Sequence, residues 1–566
     1  MESQIFVGDS PEKSSRSKDY WLEWLWIFGL LIGALILFCT NLDGLLLQDG
    51  EEGIIAQISK EIYLSPPESW QWLFPRLWET PYLHHPPIIH NLIAICYSWF
   101  GIHEWTTRLP TALLTAISVP LVYSIGREVF SSRIPSIFSA LIYLTFLPIV
   151  CYGRLAILEG LLLCFENLTI LFILRSRRDL RWALLAGISF GLMFMAKKIE
   201  GLLIGAIILI FLAWDTPRIL TSIYLWLGVI LGSFPIIFWY FAQSLHYNTF
   251  LFSKAIIWLH FEKAWSHLDL RNSYPWYYLV EVSKYSWPWL LFVVYGLKKA
   301  WIERTWSWSK LVLVWTTFYF VIASFALTRN PWSILPIYPS LALAGGAHLT
   351  EIYFLPSFSV YPRSWTVVFG SLSLSSGLGS AYFGMTDSID HSLVIILASV
   401  ALTLAVAAIL IERQDRQFIT MLFWGIYISL LLLVLSSHWI NSVNNNYPTE
   451  RLARVIRNSV PKDQLIYTSS QFSSALNFYS EHQIIALSTE KQSQLTNSWL
   501  ERHWKEAPEP SPQEIKYHWL KQRWNLESKP CLLLDYQTFK ELALLDVKEI
   551  ADISPEWKLI SKGRDN

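Results

Sequence analysis

Between an apolar run near the N-terminus and the next run long enough to cross a bilayer, the chain concentrates groups that can do chemistry. Residues 48–110 contain QDGEEGIIAQISKEI, then PRLWETPYLHHPPIIHNL, then GIHEWTTRLP. Asp49, Glu51 and Glu52 open a segment whose Ile54, Ile55, Ile58 and Ile62 recur with helical period. Acids in a first helical turn are favoured by the macrodipole by up to about 1 kcal/mol, which is the plain structural reason for them. The chemical reason is that a carboxylate can take the proton from an attacking hydroxyl. His84 and His85 precede a Pro-Pro step. Adjacent side chains rarely chelate one ion together, so each could bind an anion as imidazolium or join a carboxylate around a divalent metal. Ionisable groups are costly beside a bilayer, so their concentration here calls for a reason.

The elements that must position these groups are apolar. Of 566 residues, 53% are hydrophobic and 16% charged, and mean hydropathy is +0.35; ordinary soluble domains carry about 25% charge. Apolar runs long enough to span recur along most of the chain, which makes it an all-α polytopic membrane protein. Net charge is zero and no basic block occurs, against a nucleic-acid partner. Cys39, Cys96, Cys151, Cys164 and Cys531 are scattered without CxxC spacing, so no disulfide framework is expected. The run Trp21–Thr40 lacks a small-residue cleavage site and reads as a retained helix.

About thirteen spans are expected between residues 21 and 440, among them 134–150, 182–196, 281–297 and 391–411. Ile88–Phe100 is too short to cross ~30 Å at ~1.5 Å per residue, and reads as a helix lying at the outer surface. With residues 1–20 as an inner tail, the basic clusters at 175–181 and 298–310 fall inside, as the positive-inside bias requires. The first outer loop is then 41–106, and an odd number of spans sends 441–566 outside. That segment is polar, with strand-like DQLIYTSS, QIIALS and PCLLLDY after a helix-like RLARVIRNSV. A small C-terminal α/β extracytoplasmic domain is the expectation.

More charges fall at outer span ends. RLAILEG brings Arg154 and Glu159, whose bland reading is a surface pair worth little. GLMFMAKKIEG brings Lys197 and Lys198 against the positive-inside trend, where snorkelling and a Lys198–Glu200 pair are the bland alternatives. TRNPWSILPIYPSLALAGG brings Arg329. His260, Glu262, His267 and Arg271 share one outer loop with no diagnostic spacing. No P-loop or GxSxG occurs.

Read in order, the acidic pair, Pro-Tyr, imidazole pair with Pro-Pro, and Arg-Leu-Pro resemble the first outer loop of membrane glycosyltransferases that use polyprenyl-phosphate sugars. The group is family 39, of GT-C fold, with its bacterial aminoarabinose-transferase-like relatives. The resemblance covers most of residues 20–350 and is weak beyond. The family pattern is Asp-Glu-small; here Glu51-Glu52-Gly53 stands in its place, which implies Glu51 as the base and leaves Asp49 as the other candidate beside Glu52. Where relatives commonly have Lys before Pro-Pro, His85 is implied as a phosphate ligand and His84 as a metal ligand, the cofactor being a divalent ion. Arg108 and Arg154 fall on the donor side by the same likeness, and Glu159 stands at a family Asp. The family's Thr-Lys-Gly places Lys197 on its lysine and Lys198 on its glycine, and Arg329 stands at a further lysine. Lys197 and Arg329 are thereby implied as phosphate ligands.

What the resemblance implies is inverting transfer of a sugar from a polyprenyl-phosphate carrier to a lipid, glycan or protein acceptor, on the outer face of the plasma (inner) membrane. A lipid-sugar flippase without chemistry is the rival, and it calls for ionisable residues within spans and for inverted repeats. A binding protein without activity is the third reading, supported only by the departures at Glu51 and at the His84–His85 pair.

Overall fold

The computed structural model describes residues 16–78, 80–247, 276–325, 330–356, 360–386, 390–440, 449–461, 464–468, 474–486, 531–535, 547–554 and 557–562. In chain order the helices begin with α1 (Arg16–Cys39), α2 (Glu51–Leu64), α3 (Ile88–Phe100), α4 (Glu104–Val129), α5 (Ile134–Leu144) and α6 (Leu147–Tyr152). There follow α7 (Glu159–Arg175), α8 (Trp182–Ala196), α9 (Lys198–Asp215), α10 (Ile223–Tyr247), α11 (Tyr277–Tyr285), α12 (Leu290–Ile302) and α13 (Ser307–Phe325). The last are α14 (Tyr338–Phe354), α15 (Arg363–Met385), α16 (His391–Glu412), α17 (Gln417–Leu435), α18 (Thr449–Ser459) and α19 (Ser474–Ser480). By contacts the chain divides into a helical unit, residues 1–45 and 83–441, and a loop unit, residues 46–82 and 442–566.

The helical unit follows the apolar runs. Among the described residues five helices are long and apolar enough to cross a membrane: Tyr20–Cys39, Glu104–Val129, Ile223–Tyr247, His391–Glu412 and Gln417–Leu435. The run expected as one span over 134–150 is divided, because Pro148 at the first turn of α6 cannot continue a helix from α5. The run over 281–297 is likewise divided, around Pro288, into α11 and α12. The apolar run at Ile88–Phe100 is one helix of 13 residues. Its Tyr97 is buried and shares a 2.6 Å hydrogen bond with Thr107 of α4.

Two features lock the unit. Gly187 and Gly191 on α8 face Gly228 and Gly232 on α10, and a Cβ at any of them would overlap the opposite main chain. Four-residue spacing of small residues on both helices lets two backbones touch, and dispersion at that range takes the place of a hydrophobic drive in lipid. At the helix ends that carry the arginine-rich loops, acids answer the basic clusters. Glu23 of α1 meets Arg127 and Arg133, Glu128 meets Arg175 and Arg178, and Asp215 meets Arg177 and Lys310.

The loop unit is mixed α/β. Strands β1 (Arg76–Leu77) and β2 (Thr80–Pro81) form a short antiparallel pair. A five-stranded sheet comprises β3 (Ile466–Thr468), β4 (Ile484–Ala486), β5 (Cys531–Asp535), β6 (Val547–Ser554) and β7 (Trp557–Lys562), in the order β4-β3-β5-β7-β6. β3 runs parallel to β4 and β5, while β7 is antiparallel to β5 and β6. Its core is Leu452, Ile456, Ile466, Leu476, Cys531 and Leu533 with Leu559. The three strand-like runs and RLARVIRNSV of the sequence fall on β3, β4, β5 and α18. Residues 46–82 pack within this unit, whereas the sequence division kept the whole loop 41–106 beside the spans.

Candidate active site

In the loop unit the three acids have three different surroundings. Gly50, with φ of 91°, precedes α2 in a backbone conformation that suits glycine. Glu52 is buried, and its Oε2 accepts the Gln48 amide at 2.7 Å, closing the first turn. Asp49 Oδ1 accepts the amide of Ala475 at 3.0 Å, at the N-terminal end of α19. Ser474 adds bonds to the Gly50 amide and carbonyl at 2.9 and 3.0 Å. Gly53 is required for this approach, since a Cβ there would lie 2.8 Å from the Ala475 amide nitrogen. Glu51 differs: its Oε2 is buried and meets no hydrogen-bond partner among the described residues. Asp49 and Glu52 are thus engaged by main-chain donors, and Glu51 keeps acceptor capacity. Tyr82 feels the Glu51 charge, and burial foremost, then that charge, push its phenol upward.

In the same unit Glu61 Oε1 accepts from Gln57 Nε2 at 2.8 Å and from the Trp78 amide at 3.0 Å, tying α2 to the turn between β1 and β2. Burial outweighs these bonds and the Lys60 charge, and raises the carboxyl from 4.5 to about 7.

In the helical unit the basic residues sort into two groups. Lys197 caps α8 and precedes α9, and its Nζ is ion-paired with Glu159 at the start of α7. Glu200 lies 3.6 Å from the same ammonium. Lys197 and Glu159 are 6% and 1% exposed, so this pair is desolvated and geometrically fixed. The bland pairs read from sequence joined Glu159 to Arg154 and Glu200 to Lys198; in the structure both acids turn to Lys197.

Arg108 and Arg154 are fully buried and serve the main chain. Arg154 donates from Nε to Phe38 O at 3.1 Å and from Nη2 to the carbonyls of Thr40 and Asn41. Arg108 Nη1 donates to Leu42 O and Leu45 O, each at 2.7 Å. These carbonyls end α1 and begin the segment after it, where a helix leaves acceptors unsatisfied and presents its negative pole. Trp439 lies against both guanidinium groups, 4.5 Å from Arg154 and 5.3 Å from Arg108. The sequence offered no signal for Trp439 beyond its place at the end of the last apolar run.

His84 and His85 are half-buried in the irregular segment before α3. Lys198 Nζ donates to the His84 carbonyl at 2.9 Å. Arg329 lies outside the described residues, as do His260, Glu262, His267 and Arg271. The segment just after Arg329 is held by two tyrosines, Tyr278 to Asn330 O and Tyr319 to Ser333 O. Among the described residues no group of three or more His, Cys, Asp or Glu converges to hold a metal ion.

Residues 84–241 match the dolichyl-phosphate-mannose-protein mannosyltransferase family. Over 338 residues the chain is 28% identical to undecaprenyl phosphate-alpha-4-amino-4-deoxy-L-arabinose arabinosyl transferase 1 of Pseudomonas fluorescens, covering 58% of this chain and 60% of the relative. It is 24% identical over 333 residues to the corresponding transferase of Pectobacterium carotovorum, covering 57% and 59%. The chain thus matches about 60% of the length of these curated relatives. Its fold matches that of ArnT from Cupriavidus metallidurans. The apo structure gives a TM-score of 0.74 at 19% identity, covering 96% of this chain and 99% of that one. The structure bound to undecaprenyl phosphate gives 0.73, also at 19% identity, covering 95% and 99%. These findings bear out the resemblance to membrane glycosyltransferases of family 39 type that the loop motifs carry.

Proposed function

We propose that the chain is an inverting glycosyltransferase that moves a sugar from a polyprenyl-phosphate carrier to an acceptor hydroxyl. The names of its relatives point to undecaprenyl phosphate as the carrier and to a pentose-type sugar. The acceptor is a lipid, glycan or protein. In this reading the chain crosses the plasma (inner) membrane about thirteen times. The tail 1–20 is inside, and the first loop and residues 441–566 are outside.

In the proposed step the acceptor oxygen attacks the anomeric carbon on the face opposite the phosphate. Glu51 takes the hydroxyl proton, the bond from the anomeric carbon to the phosphate oxygen breaks, and its electron pair leaves with the polyprenyl phosphate. One displacement inverts the anomeric centre. The departing phosphate gains negative charge, which Lys197, Arg329 and His85 as imidazolium stabilise. Glu159, with Glu200, holds the Lys197 ammonium in place. Arg108 and Arg154 enter as positioning residues, through the segment that leaves α1. Glu52 sets the first turn of α2. Among the described residues no group of three or more His, Cys, Asp or Glu gathers around His84 to hold a metal.

The observation that carries the reading is the Glu51 carboxylate, whose buried Oε2 meets no hydrogen-bond partner among the described residues while Asp49 and Glu52 accept main-chain amides. The test is turnover of an undecaprenyl-phosphate aminopentose by the purified full chain in detergent, with donor binding followed separately. Glu51→Gln is expected to cut turnover by about 10²–10⁴-fold with binding retained. Wild-type turnover in Glu51→Gln with a severe loss in Asp49→Asn moves the base to Asp49. Lipid movement across vesicles by the wild type, with no transfer to any acceptor, overturns the enzyme reading in favour of a flippase.

A further inference from the structure

The segment carrying His84 and His85 lies between β2 and α3 without helix or strand; Pro86 and Pro87 have no N–H to give, and the Pro86 carbonyl accepts the Ile88 amide at 3.0 Å. A residue from a distant element reaches it. Lys198 opens α9, and its Nζ donates to the His84 carbonyl at 2.9 Å across 114 residues of sequence. The same ammonium lies 4.9 Å from the centroid of the Tyr240 ring on α10. That contact holds the lysine stem against α10 while its head reaches the carbonyl. Its neighbour Lys197 points elsewhere, to Glu159 and Glu200. The two lysines therefore have separate tasks, although they are adjacent in sequence.

We propose that Lys198 is a positioning residue: by holding the His84 carbonyl it sets the orientation of the His84–His85 pair, and through His85 it governs affinity for the carrier phosphate. The second half of this statement rests on the proposed role of His85. The first half is a statement about the segment alone. The arrangement joins two places where the sequence departs from the family pattern it resembles, imidazoles before the Pro-Pro step and a second lysine after Lys197.

The experiment has one arm for each half. In the first, the full chain in detergent is treated with diethylpyrocarbonate, and modification of His84 and His85 is quantified by peptide mass spectrometry. Exposed His103, at the start of α4, is the internal reference. Loss of this hydrogen bond in Lys198→Met is expected to raise labelling of His84 and His85 about five- to tenfold, with His103 unchanged. Lys198→Arg, which keeps a donor, is expected to restore protection. Tyr240→Leu is expected to give a smaller rise, and supplies the answer should Lys198→Met not accumulate. Unchanged labelling of the pair, or a parallel rise at His103, overturns the positioning role.

In the second arm, Lys198→Met and His85→Ala are each expected to raise KM for the undecaprenyl-phosphate sugar about five- to tenfold with little change in kcat, and the double variant to be no worse than His85→Ala. Multiplicative losses in the double variant mean that Lys198 acts independently of His85, and overturn the second half. Absence of turnover in the wild type refutes the enzyme reading, and the labelling arm then decides the positioning role by itself.

Discussion

Replacing Arg154 separates a ligand of the carrier phosphate from a residue that holds the main chain. Its guanidinium donates to Phe38, Thr40 and Asn41 and packs on Trp439. A hydrogen bond involving a charged group is worth about 1.5–3 kcal/mol, so the bonds to Phe38 and Asn41 alone account for roughly 3–6 kcal/mol. The desolvated contact with Trp439 adds about 2 kcal/mol. Part returns on mutation, because Thr40 and Asn41 are half-exposed and their carbonyls can reach solvent, whereas Phe38 is fully buried. The net expected loss in Arg154→Met is about 4–6 kcal/mol, a large share of a typical 5–15 kcal/mol. Read as thermal stability of the purified protein in detergent, that is a drop of about 5–10 °C in apparent Tm. Arg154→Lys keeps the charge but not the fork, and is expected to recover less than half of the loss. An Arg154→Met protein that melts like wild type while binding undecaprenyl phosphate about tenfold more weakly would refute the reasoning and return Arg154 to the ligand set.

Glu61 makes the loop unit sensitive to pH. Its folded carboxyl titrates at about 7 against an ordinary 4.5, so the folded state binds the extra proton, and stability is greatest below 4.5 and falls as pH rises to about 7. Glu61→Gln is expected to flatten that slope in melts taken between pH 4.5 and 7.5, and an unchanged slope assigns it to another group. Gly191→Leu forces α8 off Gly232 of α10 and is expected to cost at least about 3 kcal/mol, seen as loss of monodisperse protein on size exclusion. A variant that stays monodisperse with wild-type Tm contradicts the close backbone contact. Turnover of the undecaprenyl-phosphate sugar is expected to survive a chelator such as EDTA, because the described acids and imidazoles do not converge as a ligand set. Loss in EDTA with recovery on adding a divalent ion places a metal in the reaction.

The order of elements was legible in the sequence because a span has to be apolar and hydrogen-bonded on its own, whatever its neighbours. Ile88–Phe100, 182–196 and 391–411 were read from apolar length alone and coincide with helices to within a residue. Where a run was cut, at Pro148 and at Pro288, the proline was visible in the sequence, but whether it would bend one helix or divide it was not. Strands β6 and β7 were missed because their polar sequences, VKEIADIS and WKLISK, give little alternation to read.

The sequence by itself determined which residues could carry charge beside the membrane and roughly at which helix ends they stand, since both follow from residue type and apolar length. Tertiary structure decided the partner of each charge. Arg154 has an acid five residues away, yet its donors go to carbonyls more than 110 residues earlier. Glu159 goes instead to Lys197, 38 residues later. A buried guanidinium needs several acceptors, and the C-terminal end of a helix offers a cluster of unsatisfied carbonyls, where one carboxylate offers two oxygens. Likewise Asp49, Glu51 and Glu52 are alike in sequence, and only the approach of Ser474 and Ala475 engages Asp49, while a Glu51 oxygen meets no hydrogen-bond partner among the described residues. Which helix end meets which side chain is set by packing among elements far apart in the chain, and local spacing does not encode it.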